Sequence, residues 1–293
     1  MVTVSPAFEV PELWDVTGGC MRVLCIISLF SALLMGCASG ERSEVAVDSS
    51  ASFAGLQTPT DAVPLLVLGK DSRALPAGWQ PWVLHPTKAQ TRYRVVRDAE
   101  VGAVVSAEAD ASASGLLREL NLEVSRAPVL EWQWRIDSLI EGADNTDRYA
   151  EDSPVRIVLA FDGDKQSLPM RDRLFFERTR LLGGREMPYA TLMYIWENRQ
   201  PVGSVLKNPH TDRVRKLVVA SGAEGVGRWQ KYRRNVVEDF TAAYGKPPGP
   251  LIGIAILTDT DNTRQRARAQ YGSVRLVPAA TSSAPGGPRA QVP

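Results

Sequence analysis

Leu130-Glu131-Trp132-Gln133-Trp134-Arg135-Ile136-Asp137 alternates apolar and polar residues without a break. A period of two is the side-chain period of a β-strand. It places Leu130, Trp132, Trp134 and Ile136 on one face and Glu131, Gln133, Arg135 and Asp137 on the other. The tryptophan face has the makeup of a core wall, because burying an indole is strongly favourable. The opposite face then presents polar groups to solvent or to a cleft. The same tryptophans could instead stack on sugar rings, together with Trp196 and Trp229.

Working outward, the same pattern recurs. Leu120, Leu122 and Val124 alternate against Glu119, Asn121 and Glu123. Arg156 to Phe161 and Ala190 to Trp196 are nearly continuous apolar runs, which predicts central strands covered on both sides. Further strands are expected over Trp79–Leu84, Tyr93–Arg97, Val101–Ala107, Val214–Ser221, Arg228–Arg233, Leu251–Thr258 and Ser273–Val277. Gly, Pro, Asn and Asp punctuate them. About ten strands separated by turn signals predict an all-β fold, an antiparallel β-sandwich of jelly-roll type.

Two short helices interrupt the pattern. Asn235 and Glu238 have the spacing of a capping box, with Asn at the N-cap and Glu at N3. Val236, Phe240 and Tyr244 follow on one face, and Gly245 stops the helix before Pro247-Pro248. Pro169 to Leu182 is the second, ending at Gly183-Gly184. It lies between two strong strands, as an insertion crossing one edge or mouth of the sandwich.

Composition narrows the functional classes. The 293 residues carry 34 Lys plus Arg against 33 Asp plus Glu, which argues against a nucleic-acid binder. Two His and three Cys argue against a His/Cys metal cluster.

Met21-Arg22 opens a short basic segment, Val23 to Leu34 is apolar and uncharged, and Leu34-Met35-Gly36-Cys37 follows. This is the layout of a secretory signal. Its end has the form of the bacterial lipobox, in which the Cys is acylated and becomes the first mature residue. Cys37 is therefore the expected lipidation site, bearing thioether-linked diacylglycerol and an amide-linked chain such as palmitate. Several acyl chains anchor stably to a membrane without a spanning helix. Ala38, where the inner-membrane retention signal has Asp, points to an outer membrane facing the periplasm.

The organisation follows. Residues 1–20 contain Glu9, Glu12, Asp15 and two prolines, and read as an upstream extension ahead of a true start at Met21. Residues 21–36 form the signal peptide and 37–60 a lipidated Cys with a flexible tether. Residues 61–277 form one sandwich and 278–293 a disordered tail. Processing would leave 33 bases, 30 acids and the single Cys37, so the exported domain has no disulfide.

Three groups could carry chemistry. Thr258-Asp259-Thr260-Asp261-Asn262-Thr263 crowds oxygen ligands at a strand end. It could close a turn by bonding backbone N–H groups, contact a ligand, or hold calcium. It is not an EF-hand, since Arg264 and Gln270 stand where Gly and Glu are required. Ser112 and Ser114 lack a nucleophile elbow, and His85 and His210 are the only histidines, so Ser-His-Asp hydrolysis is not expected. Carboxylates on or ending strong strands, Glu131, Glu197, Asp259 and Asp261, are candidates for glycoside chemistry. The candidate ligand-binding set is Asp259, Asp261, Asn262, Thr263, Glu131, Gln133, Arg135 and Glu197, with catalytic residues unassigned and no resident cofactor beyond a possible calcium ion.

Several segments taken in order carry a resemblance. They are Ala111-Ser112-Ala113-Ser114-Gly115-Leu116, Leu130 to Trp134, Tyr194-Ile195-Trp196, Trp229 to Phe240 with Asn235, Glu238 and Asp239, and Thr258 to Thr263. Together they resemble the bacterial family known as domain of unknown function 3047, over roughly Gly78 to Val277. The family carries no established activity, so the resemblance implies compartment and fold and transfers no mechanism. Where the family pattern has a Gly-Asp-Asp-type acidic turn, this chain has Glu151-Asp152-Ser153-Pro154.

The sequence therefore predicts a lipid-anchored envelope protein with a jelly-roll module binding a glycan or another polar envelope ligand. The alternatives are a carboxylate-based glycan hydrolase or lyase, and a structural envelope protein with a protein partner. The membrane, through Cys37, is a partner in each case, and nucleic acid in none.

Overall fold

In the computed structural model, residues 61–183, 186–208 and 211–279 are described. The extension, signal, Cys37, tether and most of the tail lie outside them. The described chain runs β1 (Val63–Leu66), β2 (Trp79–Val83), β3 (Arg92–Asp98), β4 (Gly102–Asp110), β5 (Ala113–Leu122), β6 (Val129–Ile136) and β7 (Ser153–Phe161). It continues through α1 (Met170–Gly183), β8 (Ala190–Glu197), β9 (Val205–Lys207), β10 (Val214–Ser221), β11 (Gln230–Asn235), α2 (Val236–Tyr244), β12 (Leu251–Asp259) and β13 (Arg266–Val277).

The strands form two sheets. One has the order β2-β5-β12-β7-β8-β10-β9; the other is β11-β6-β13-β4-β3, with β1 added beside β13. This is the expected two-sheet sandwich of jelly-roll type with two short helices. One pair departs from antiparallel pairing: β10 runs parallel to β8. After β8 the chain moves to the edge as β9, then returns antiparallel to it between β9 and β8.

The alternation of β6 is obeyed along its whole length. Leu130, Trp132, Trp134 and Ile136 are buried, while Glu131, Gln133 and Arg135 are half-exposed on the other face. The core joins both sheets. Trp132 of β6 stacks on Tyr194 of β8 at 4.8 Å and on Tyr232 of β11 at 5.0 Å, and Phe161 meets Phe240 of α2 edge-on at 4.7 Å. Such pairs add about 0.5–1.5 kcal/mol each beyond the burial itself.

The helix α2 begins as the capping spacing predicts. The Asn235 side chain accepts from the N–H groups of Val237 and Glu238, and Gly245 ends the helix in the left-handed region at φ 76°. Asp239 ties α2 to the core by accepting from the buried Tyr194 hydroxyl at 2.8 Å and from Arg234 Nε at 2.9 Å. An unpartnered hydroxyl at that depth would cost about 1–3 kcal/mol.

In β13, Tyr271 and Val274 both face the core, with a register shift between them against β6. This β-bulge exchanges the parity of the strand. Before it Arg266, Arg268 and Gln270 face outward; after it Ser273 and Arg275 do.

Candidate functional site

The residues singled out by sequence fall into two places, one on each sheet. The first is the outward face of the seven-stranded sheet, where β12 ends and β7 begins. Asp259 is the last residue of β12, and its carboxylate accepts from Arg156 Nε at 3.1 Å and Nη2 at 3.0 Å. It also accepts the Ser153 N–H at 3.0 Å. Both partners are buried, Arg156 at 2% and Asp259 at 7% exposure. Burial pushes the Asp259 carboxyl up to about 6, against the opposing pull of Arg156. Burial works against the Arg156 guanidinium as well, but Asp259, Glu151 and Asp152 raise it above its ordinary value.

The loop from β6 to β7 folds over this face. Asn145 donates its N–H to Glu197 at 3.0 Å and its side-chain amide to the Asp152 carbonyl at 2.9 Å. Its carbonyl accepts from Lys216 Nζ at 3.0 Å, and Lys216 also pairs with Glu151 at 2.8 Å. Lys216 is fully buried, and that burial, followed by the Arg156 charge, lowers its amine to about 8. Glu197, at the end of β8, accepts from Asn145, Arg199 and Gln200 backbone N–H groups, so its oxygens cap the turn that follows.

The Thr258 to Thr263 run closes a turn against this network. Thr260 is buried, and Asp152 accepts the N–H groups of Asn262 and Thr263 and the Thr263 hydroxyl. Carboxylate oxygens of Asp152, Asp259 and Asp261 lie within 4.8 Å of one another, the right donor type for a hard cation. Two of the three are already neutralised, Asp259 by Arg156 and Asp261 by Lys88 at 2.5 Å. A cation entering there would have to displace both.

The second place is the outward face of the six-stranded sheet. A pocket of about 430 Å³ is lined by Glu131, Trp132, Gln133, Lys231, Tyr232, Arg233, Ser273 and Arg275. Three adjacent strands, β11, β6 and β13, supply it. The register sets Arg233 and Arg275 on either side of Glu131, and Lys231 beside Gln133. Glu131 accepts from Arg233 at 2.6 Å, and Arg275 Nε stands 3.9 Å from its other oxygen. The bulge shapes the floor. A Cβ on Gly272 would fall 2.4 Å from Cγ of Gln133, so only glycine lets that side chain lie across β13.

Arg135, the third polar residue of β6, stands just beyond. It pairs with Asp98 at 3.3 Å and lies 5.5 Å over the Trp229 ring, whose indole N–H donates to the same Asp98 at 3.1 Å. Of the sequence-predicted set, Glu131 and Gln133 therefore line the pocket, and Arg135 flanks it. Asp259, Asp261, Asn262, Thr263 and Glu197 belong to the polar network on the other sheet. Lys231, Arg233, Ser273 and Arg275 were not singled out by sequence. The alternation Lys231-Tyr232-Arg233 was visible, but nothing local says that β11 lies beside β6.

A family model described as protein of unknown function (DUF3047) matches residues 77–275. The chain belongs to this family. The DUF3047 segment thus runs from just before β2 almost to the end of β13, and holds both places just described. No curated protein matches the chain. Among solved structures, the xyloglucanase domain of NopAA, a type three effector from Sinorhizobium fredii, is similar at 8% identity and TM-score 0.33, over 68% of this chain and 97% of that one. The family 11 xylanase from Neocallimastix patriciarum is similar at 11% identity and TM-score 0.31, over 73% and 96%. The Endo-D glycoside hydrolase domain from Streptococcus pneumoniae R6 is similar at 8% identity and TM-score 0.28, over 68% of this chain. The chain spans 21% of that structure's length. Likenesses this distant carry no functional argument.

Proposed function

We propose that this DUF3047 protein is a lipid-anchored envelope protein whose sandwich binds an acidic glycan in the pocket over β6. The observation that carries the reading is the pocket itself. Its volume suits a small polar ligand, and donors and acceptors converge on it from three strands. Lys231, Arg233 and Arg275 face a single acid, Glu131, so the lining favours a ligand with negative charge. One carboxylate does not make a glycosidase pair. Binding, rather than hydrolysis, is what this lining supports.

Calorimetric titration of the chain from Ala38 to Pro293 with uronic-acid oligosaccharides tests the site. Gln133→Ala and Arg275→Ala are expected to weaken binding by about tenfold each, the loss of one charged or well-placed hydrogen bond. No binding of any acidic glycan, or binding by both variants as tight as the parent's, overturns the assignment.

The anchor reading rests on the Leu34-Met35-Gly36-Cys37 sequence. Cys37→Ser is expected to move the protein from the membrane to the soluble fraction of an expressing cell. Retention in the membrane fraction removes Cys37 as the anchor.

A further inference from the structure

The helix α1 lies outside both places described above. Its inward side is accounted for: Phe176 is buried, and the buried Asp172 accepts from the Thr211 hydroxyl at 2.8 Å. Its outward side is unusual. Met170, Leu174 and Leu181 are 60%, 62% and 76% exposed, the largest apolar exposures on any described helix or strand. At about 100° per residue the three fall within about 40° of one another, so they form a single ridge. Four exposed arginines flank it, Arg171 and Arg178 on one side and Arg173 and Arg180 on the other. Of these four, among the described residues, only Arg180 is in an ion pair, with Glu177, an exposed carboxylate that falls about 20° from Met170 at the edge of the ridge and is offset by that pairing.

We infer that α1 is a membrane-surface contact that lies in the headgroup region of an anionic bilayer. An apolar ridge bordered by cations is what an interfacial helix needs. Met and Leu enter the acyl boundary, while the guanidinium groups turn up to the phosphates on their apolar stems. The helix is not long and apolar enough to cross a membrane. A protein interface fits less well. From Met170 to Leu181 the ridge is about 17 Å long and one side chain wide. A stable complex needs roughly 800 Å² per partner. The ridge supplies a second, weak attachment, the kind that makes an acyl anchor stable. The inference borrows from the proposed function only the presence of a nearby membrane; the helix surface is argued from its own geometry.

The chain from Ala38 to Pro293 carries every described core residue and no acyl group. It is expected to float with phosphatidylglycerol vesicles and not with phosphatidylcholine vesicles. Leu174→Ser with Leu181→Ser should reduce that partition by about tenfold or more, from lost apolar burial. Both residues are exposed, so the thermal midpoint of the double variant should match the parent. No flotation with phosphatidylglycerol vesicles, or unchanged flotation of the double variant, overturns the inference. So does sedimentation showing a dimer that the double variant dissolves. These outcomes leave glycan binding untouched, because that pocket lies on the six-stranded sheet.

Discussion

Asp259 ends β12 with its carboxylate closed against Arg156, and both lie out of water. A buried pair like this adds little over an apolar pair of the same shape, but removing one partner is costly. Asp259→Ala would leave the Arg156 guanidinium buried with the Glu151 carbonyl as its remaining acceptor. The expected loss is about 3–5 kcal/mol in urea unfolding, with Asp259→Asn milder because it keeps an acceptor. Glycan binding should survive, since the pocket belongs to the other sheet. A loss below about 1 kcal/mol would mean that water reaches Arg156 and that the pair is not a structural lock. Glu197 follows the same logic. Sequence marks it only as a carboxylate at a strand end, and its burial under Asn145 is a long-range fact.

At the scale of elements, what was legible depended on whether a signal was local. The β6 strand was readable because its alternation is complete, and α2 because Asn235, Glu238 and Gly245 mark both its ends. The α1 helix was readable as a helix, but not its orientation, which Asp172 and Phe176 fix through contacts distant in sequence. The β1 and β9 strands are four and three residues long, too short to carry a period. The first half of β13 lies outside the strand that sequence predicts over Ser273–Val277, because its inward residues are Ala267 and Ala269, too small to give an apolar signal. The pocket was half legible. Glu131 and Gln133 came from the β6 pattern, whereas Ser273 and Arg275 line the pocket because β13 lies beside β6, a long-range pairing; locally, only Gly272 and the switch of apolar parity from Tyr271 to Val274 mark the bulge.

At the scale of the whole molecule, the sandwich is held without covalent staples. The three cysteines, Cys20, Cys25 and Cys37, all precede the described residues, so stability rests on the shared core and on the charges buried beside it. Its pH dependence should therefore expose those charges. Lys216 has a folded value of about 8 against an ordinary 10.5, lowered first by burial and then by Arg156. Between those two values the unfolded chain holds the proton and the folded one releases it. The unfolded state then binds more protons, so stability rises with pH through that window. Buried Tyr93, Tyr194, Tyr244 and Tyr271 have raised values through burial and work in the opposite sense once unfolded tyrosine ionises near pH 10. The window that isolates Lys216 is thus about pH 8 to 9.5, where one group shifts stability by about 1–2 kcal/mol. Urea unfolding of the wild type should gain that amount across the window. Lys216→Met, which keeps the length of the buried stem and removes the charge, should show a flat profile there. A wild-type profile already flat between those pH values would mean that the Glu151 pairing outweighs burial and holds Lys216 near its ordinary value.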